Sequence, residues 1–112
     1  ATGKAKYIEA VNLANQGAIP NLPDDMIVEV PVTADADGFH RQALDPLPEA
    51  IAAMLRVQGS INKLLVEAFV ENSKDKLIQA FLLDPTVHTY HGAIDCIDEM
   101  ISLQKDVLPE LR

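Results

Sequence analysis

The sequence predicts an α+β fold, in which a small antiparallel sheet is followed by three helices. Apolar residues alternate with polar ones in the first part of the chain, and beyond residue 48 they recur at helical spacing. The length of 112 residues and the 48% hydrophobic content suit one domain with a real core. We therefore expect a single domain over residues 1–112, with strands within about 6–45 and helices within about 48–108.

Three strands are expected. The first covers about residues 6–14, where β-forming residues precede a turn, although a short helix through IEAVNLA is the alternative. The second covers residues 26–34, MIVEVPVTA, where Pro31 lacks an N–H and so favours a sheet edge or an interrupted ladder. Asp37-Gly38 is a hairpin signal, and FHRQAL returns as a third strand.

The first two strands are joined by a stretch rich in proline and asparagine, NQGAIPNLPDD. Gly17 can adopt positive φ, while Pro20 and Pro23 fix their own φ and push the preceding residues into extended conformations. This segment is therefore predicted to be stiff.

The first helix is predicted over about residues 48–71, with Gly59-Ser60 in its middle. Glycine there costs about 1 kcal/mol relative to alanine, so a bend or a close packing contact is expected. Asn72 or Ser73 caps a second helix that stops before Asp84-Pro85.

A last helix is predicted from about Thr89 or Gly92 to Leu108. Its apolar residues recur on one face at Ile94, Ile97, Ile101 and Leu108.

Composition argues against several partners and compartments. The 17 acidic and 9 basic residues give a net charge of -8, which repels nucleic acid and anionic membrane surfaces. Cys96 is the only cysteine and can form no intramolecular disulfide, so we expect a cytoplasmic protein. Because the chain begins at Ala1 without methionine, we also expect a trimmed, processed or cloned start.

Two patterns invite a metal-site reading, and both are weak. The D-A-D-G of residues 35–38 fits a calcium loop only if Leu44 supplies the twelfth-position ligand, which leucine cannot do. His88 and His91, with Cys96 nearby, have a short spacing that surface histidines also show.

Motifs of nucleophilic catalysis or phosphate binding are also missing from the sequence, since it has no G-x-S-x-G elbow and no glycine-rich phosphate loop. We therefore predict no catalytic, cofactor-binding or metal-binding residue in this chain.

An ordered series of motifs nevertheless resembles the C-terminal region of glycoside hydrolase family 4. The series is V-N-L-A-N-Q-G-A-I-P-N-L-P-D-D-M-I-V-E-V-P, then D-A-D-G-F-H, D-P-L-P, L-L-V-E-A-F-V and Q-A-F-L-L-D-P. The resemblance spans residues 11–111. The N-L-P-D-D form of the turn is most similar to the α-glucosidase and α-galacturonidase-like members, which act on glucosides or galacturonides without a phosphate.

The resemblance implies a parent enzyme that hydrolyses glycosidic bonds by NAD-dependent oxidation and elimination with a divalent metal, usually manganese. It implies a fold like that of the lactate and malate dehydrogenases, with an N-terminal dinucleotide-binding half as partner, and a homo-oligomer. The cofactor turn, the metal ligands and the catalytic acid and tyrosine of the family lie upstream of the matched region. The isolated chain is therefore expected to bind no cofactor and to be inactive.

Within the resemblance, Asn12, Asn15, Gly17 and Asn21 are expected to form a rim of the substrate pocket or a subunit contact. The alternative is that they serve only the local turn. A second hypothesis for the whole chain is a stand-alone α+β interaction or dimerisation module without catalysis.

Overall fold

The structure, a computed structural model, describes residues 4–112, so the start at Ala1 lies outside the described residues. The chain divides into two compact units, one ending at Arg56 and one running from Val57 to Arg112. That residues 1–112 act as one domain stays a prediction. Within residues 4–112, no helix is long and apolar enough to cross a membrane.

The first unit contains an antiparallel sheet of three strands, β1 (Lys6–Ala14), β2 (Ile27–Asp35) and β3 (Gly38–Arg41), in the order β1-β2-β3. The predicted bounds of β1 are confirmed, and its helical alternative is wrong. β3 ends at Arg41, short of the predicted return through Leu44. The next pair, Gln42 with Pro31, keeps only the bond from Gln42 N–H to the Pro31 carbonyl at 3.0 Å, because proline has no N–H to return. Leu44 N–H then donates to the Ala18 carbonyl at 2.8 Å.

Pro31 lies in the central strand, opposite an irregularity in β1. Ile8 pairs with Val32 and Val11 with Val30, so two residues of β1, Glu9 and Ala10, stand against Pro31 alone. This two-against-one arrangement is a β-bulge. The backbone of Pro31 itself faces β3, because its carbonyl accepts from Gln42 N–H at 3.0 Å, and without an N–H it returns no bond to Gln42. The predicted interruption of the ladder at Pro31 is therefore present, and the alternative, an edge position, is wrong.

The inner face of the sheet carries the core of the first unit. Val28, Val30 and Val32 alternate inward along β2 and are buried. The residues that cover them come from the turn after β1 and from the first helix: Ala18, Ile19, Leu22 and Ala52. Burying each valine side chain stabilises the fold by about 1.5–3 kcal/mol. Because residues of the turn cover these valines, the turn is part of the hydrophobic core of this unit.

The three predicted helices are present as α1 (Glu49–Glu71), α2 (Lys74–Leu83) and α3 (Tyr90–Leu103), which confirms the predicted α+β class. α1 runs without a break through Gly59. Ser73 caps α2 through its hydroxyl, which accepts from Lys76 N–H, and Thr89 caps α3 in the same way by accepting from Gly92 N–H.

α3 ends at Leu103, five residues before the predicted Leu108. One hydrogen-bonded turn follows, in which Leu108 N–H donates to the Gln104 carbonyl at 3.0 Å. Leu103 is 77% exposed and Val107 is 78% exposed, so they add little apolar packing that would continue the helix. Pro109 also disfavours the helical conformation at the residue before it. The predicted end of α3 was wrong because it depended only on the spacing of the apolar residues.

In the second unit, small buried residues allow α2 and α3 to approach. Ala80 of α2 and Ala93 of α3 are buried, and Ile97 is the largest buried side chain of α3. The last residue, Arg112, pairs through its backbone with the corner between α1 and α2. Its N–H donates to the Asn72 carbonyl at 2.7 Å, and its carbonyl accepts from Lys74 N–H at 2.8 Å.

An ion-pair cluster links α2 to the last turns of α1. The Lys76 ammonium donates to Glu67 Oε2 at 2.6 Å and to Glu71 Oε1 at 2.8 Å. The hydrogen bond from Lys76 lowers the pKa of Glu67 below its usual value of 4.5. A lowered folded-state pKa means a contribution to stability that is fully present above pH 4.5 and is lost as the pH falls through the folded pKa.

We expect Lys76→Met to reduce the loss of stability on acidification below pH 4.5, because Glu67 then titrates nearly as in the unfolded chain. Urea unfolding at pH 7, at pH 4.5 and at two lower values measures the change. Lys105→Met removes an equal charge from an exposed position outside the helices and should keep the slope of the unmodified chain. Equal slopes for both variants would contradict this role of Lys76.

Candidate functional site: the asparagine turn

The asparagine turn, residues 15–26, joins β1 to β2 and contains most of the predicted site. Asn15 N–H donates to the Met26 carbonyl at 2.8 Å, and Ala18 N–H donates to the Asn15 carbonyl at 2.9 Å. The two residues between Asn15 and Ala18 are Gln16 and Gly17, and their φ values are 44° and 81°. Positive φ at both central residues is typical of a type I′ turn, so Gly17 meets the conformational requirement predicted for it.

Asn15 organises the interior of this turn. Its side-chain amide nitrogen donates to the carbonyls of Ile19 at 2.9 Å, Leu22 at 2.8 Å and Pro23 at 3.2 Å. Its Oδ1 accepts from Ile19 N–H at 2.7 Å, and the residue is fully buried. The Asn15 side chain thereby provides hydrogen-bond partners for backbone groups that a proline-rich turn cannot pair in a β-ladder.

Asn21 fastens the turn to the chain that leads into α1. Its Nδ2 donates to the Leu47 carbonyl at 2.8 Å, and its Oδ1 accepts from Leu47 N–H at 3.0 Å. Arg56 Nη1 donates to the Asn21 carbonyl at 3.0 Å and also pairs with Glu49. Leu47 and Arg56 could not be identified from the sequence, since these contacts join residues 26 and 35 positions apart.

The four predicted residues occupy different environments. Asn15 and Asn21 direct their amides into the turn and its neighbour segment, which favours the local explanation for these two. Asn12 is exposed on the outer face of the sheet, opposite Glu29, and Gly17 is exposed at the tip of the turn. Participation of the four in a pocket rim or a subunit contact stays a prediction.

The histidines near α3 are not arranged as a metal site. His88 precedes the cap residue Thr89 while His91 lies in the first turn, so they share no helical face. Cys96 is exposed, with its sulfur 4.0 Å from that of Met100. Within residues 4–112, no group of three or more His, Cys, Asp or Glu side chains could hold a metal ion.

The D-A-D-G segment forms the hairpin between β2 and β3. The Asp35 carboxylate accepts from Asp37 N–H and lies 2.9 Å from His40 Nε2. The hydrogen bond with His40 lowers the pKa of Asp35, and the one with the Asp37 backbone adds to the effect. The Asp35 carboxylate therefore stabilises the hairpin between β2 and β3.

Comparison with known proteins finds glucosidases among the relatives of this chain. The chain is 37% identical over 103 residues to an alpha-glucosidase of Erwinia rhapontici, covering 92% of this chain and 22% of the relative. It is 35% identical over 97 residues to a maltose-6'-phosphate glucosidase of Clostridium acetobutylicum, covering 87% of this chain and 22% of the relative. The chain thus spans about a fifth of the length of these curated relatives.

A solved structure shows the same fold. A 6-phospho-alpha-glucosidase from gut microorganisms, in complex with NAD and glucose-6-phosphate, superimposes with a TM-score of 0.88 at 31% identity, over 98% of this chain and 25% of that one. A family model described as the C-terminal domain of family 4 glycosyl hydrolases matches residues 1–87. The chain belongs to glycoside hydrolase family 4 and corresponds to its C-terminal domain.

Proposed function

We propose that this chain is the C-terminal part of an enzyme that hydrolyses α-glucosidic bonds by the NAD-dependent route of its family. The observation that carries the proposal is the match of almost the whole chain, in fold, to a 6-phospho-alpha-glucosidase with NAD. A second 6-phospho-alpha-glucosidase structure, with NAD and Mn²⁺, is 34% identical with a TM-score of 0.87. NAD and manganese are accordingly the cofactors we propose for the parent enzyme, with the cytoplasm as its location.

The described residues do not themselves fit a manganese site, because they offer no suitable cluster of ligands. We therefore assign no chemical step to this chain. Its proposed partner is the N-terminal dinucleotide-binding half of the same enzyme, which its relatives have room for in the rest of their length. The contribution of this chain is then to supply a rigid surface beside the reacting groups.

The asparagine turn, together with Asn12 of the preceding strand β1, is the part of the chain that we propose as that surface. Asn15 and Asn21 are positioning residues, because their side-chain amides bond to backbone groups of the turn and of Leu47. Asn12 and Gly17 are exposed and are the two positions of the predicted set that can meet substrate or a second subunit. Mutation of Asn15 or Asn21 should therefore change the structure of the turn, whereas mutation of Asn12 or Gly17 should change function.

The proposal is tested by a chimera in which this chain replaces the matched 22% of the Erwinia rhapontici alpha-glucosidase. We expect the chimera to hydrolyse an α-glucoside only when NAD and Mn²⁺ are both added. Maltose and maltose 6'-phosphate, assayed side by side on the chimera and on the unmodified enzyme, show whether this chain changes the preference between free and phosphorylated substrate.

The matched control is the same enzyme truncated before the replaced segment, which we expect to be inactive. Circular dichroism and a melting curve establish that the chimera is folded. A folded chimera without activity on either substrate would overturn the proposal.

Asn15→Ala should destabilise the 112-residue chain by at least about 3 kcal/mol, because several buried backbone groups lose their partner at about 1–3 kcal/mol each. Asn12→Ala, at an exposed strand position, should stay within about 0.5 kcal/mol. Urea unfolding measures both, and equal effects would contradict the positioning role of Asn15.

Asn12→Ala introduced into the chimera is expected to raise KM or change the subunit number, with little change in the melting temperature. Steady-state kinetics and sedimentation measure these quantities. Unchanged KM, kcat and assembly would remove Asn12 from the proposed rim.

A further inference from the structure

The last four residues of the sequence, 109–112, pair with the corner between α1 and α2, and we name them the C-terminal strap. The Arg112 N–H donates to the Asn72 carbonyl at 2.7 Å, and the Arg112 carbonyl accepts from Lys74 N–H at 2.8 Å. Terminal residues are well ordered where such bonds tie them down. The strap is therefore held at the corner through its main chain.

The C-terminal strap also completes the cap of α2. The first N–H groups of a helix have no partner within that helix, and α2 begins at Lys74. The Ser73 hydroxyl accepts from Lys76 N–H. The Arg112 carbonyl accepts from Lys74 N–H, so the start of α2 depends on the last residue of the sequence.

The side chains of the strap add little to this attachment. Those of Glu110 and Arg112 are each 84% exposed, and they form an ion pair at 3.8 Å. An exposed pair of this kind contributes little to stability. Pro109 and Leu111 are only partly buried. The two backbone bonds of Arg112 therefore carry much of the attachment.

A cavity of about 710 Å³ lies between the strap and the corner, and it is open to solvent. Its lining residues are Glu71, Asn72, Ser73, Pro109, Glu110 and Arg112. The residues that make the two backbone bonds are thus bordered by open space instead of packed side chains. Sparse packing and backbone bonds close to solvent are the features of a segment that opens locally.

The contacts between α2 and α3 do not involve the strap. The Lys74 ammonium lies 2.5 Å from Asp98 Oδ1 of α3. Further along, Ala80 of α2 and Ala93 of α3 are buried. Because these contacts remain when the strap leaves the corner, opening removes the backbone partner of Lys74 without separating the two helices.

We propose that the C-terminal strap opens and closes as a unit, without unfolding of α2 or α3, and that its closed state fixes the first turn of α2. Lys76 lies in that turn and holds Glu67 and Glu71, so opening of the strap also loosens this ion-pair cluster. The proposal depends only on contacts within the second unit. It stands or falls separately from the proposed glycosidase activity.

Hydrogen exchange, followed by NMR for single amides of the 112-residue chain, tests the strap. In the unmodified chain, the Lys74 amide should exchange at least tenfold faster than that of Ala80, which lies inside α2. Deletion of residues 109–112 should speed exchange at Lys74 at least tenfold further and leave Ala80 within twofold. Arg112→Pro, which removes the N–H that bonds to Asn72, should change Lys74 in the same direction. Arg112→Ala keeps both backbone bonds and is the matched control.

Three outcomes would overturn the proposal. Equal exchange at Lys74 with and without residues 109–112 would show that the strap does not hold the start of α2. Equal exchange at Lys74 and Ala80 in the unmodified chain would show that the strap opens only when α2 unfolds. A deletion variant that exchanges faster at both amides by the same factor, or that loses its helices by circular dichroism, would make the strap part of one folding unit with the helices.

Discussion

The fold of the first unit depends on the hydrogen bonds of one buried side chain, that of Asn15. The chain between β1 and β2 contributes apolar residues to the core under the sheet, but its prolines and tight turns prevent it from forming regular secondary structure. Its inward backbone groups would be costly to bury without partners. The Asn15 amide supplies those partners within a single residue, and this is why Ala18, Ile19 and Leu22 can be buried against β2. Asn21 extends the same arrangement to the segment before α1.

Local chemistry was sufficient for most of the architecture. The strand β1, the capping residues Ser73 and Thr89, and the stop before Asp84-Pro85 each depend on a few neighbouring residues, and each was predictable. The ends of β3 and α3 were misplaced because they depend on what the chain meets elsewhere. β3 ends where Pro31 of the neighbouring strand has no N–H to return a bond to Gln42, and α3 ends where Leu103 is largely exposed.

The candidate site, too, could be predicted only as far as it depends on neighbouring residues. The asparagines of the turn could be found from sequence, since turn chemistry and a resemblance both draw attention to them. Their individual roles could not, because Asn12 and Asn15 are only three residues apart and yet one is exposed and the other fully buried. The partners of Asn21, at Leu47 and Arg56, are distant in the chain, and no local pattern identifies them.

The bulge in β1 has a consequence for how the chain behaves in a crowded solution. Within the described residues, β1 pairs with β2 on one side, so its other side is a nine-residue sheet edge. A long regular edge is a template onto which strands of other molecules can add, as in fibrils. The irregular hydrogen-bond spacing at Glu9 and Ala10 divides that template into two short pieces, and Lys6 and Glu9 add charge to it. The bulge that interrupts the pairing of β1 with β2 inside the sheet therefore also protects the sheet from unwanted pairing outside it.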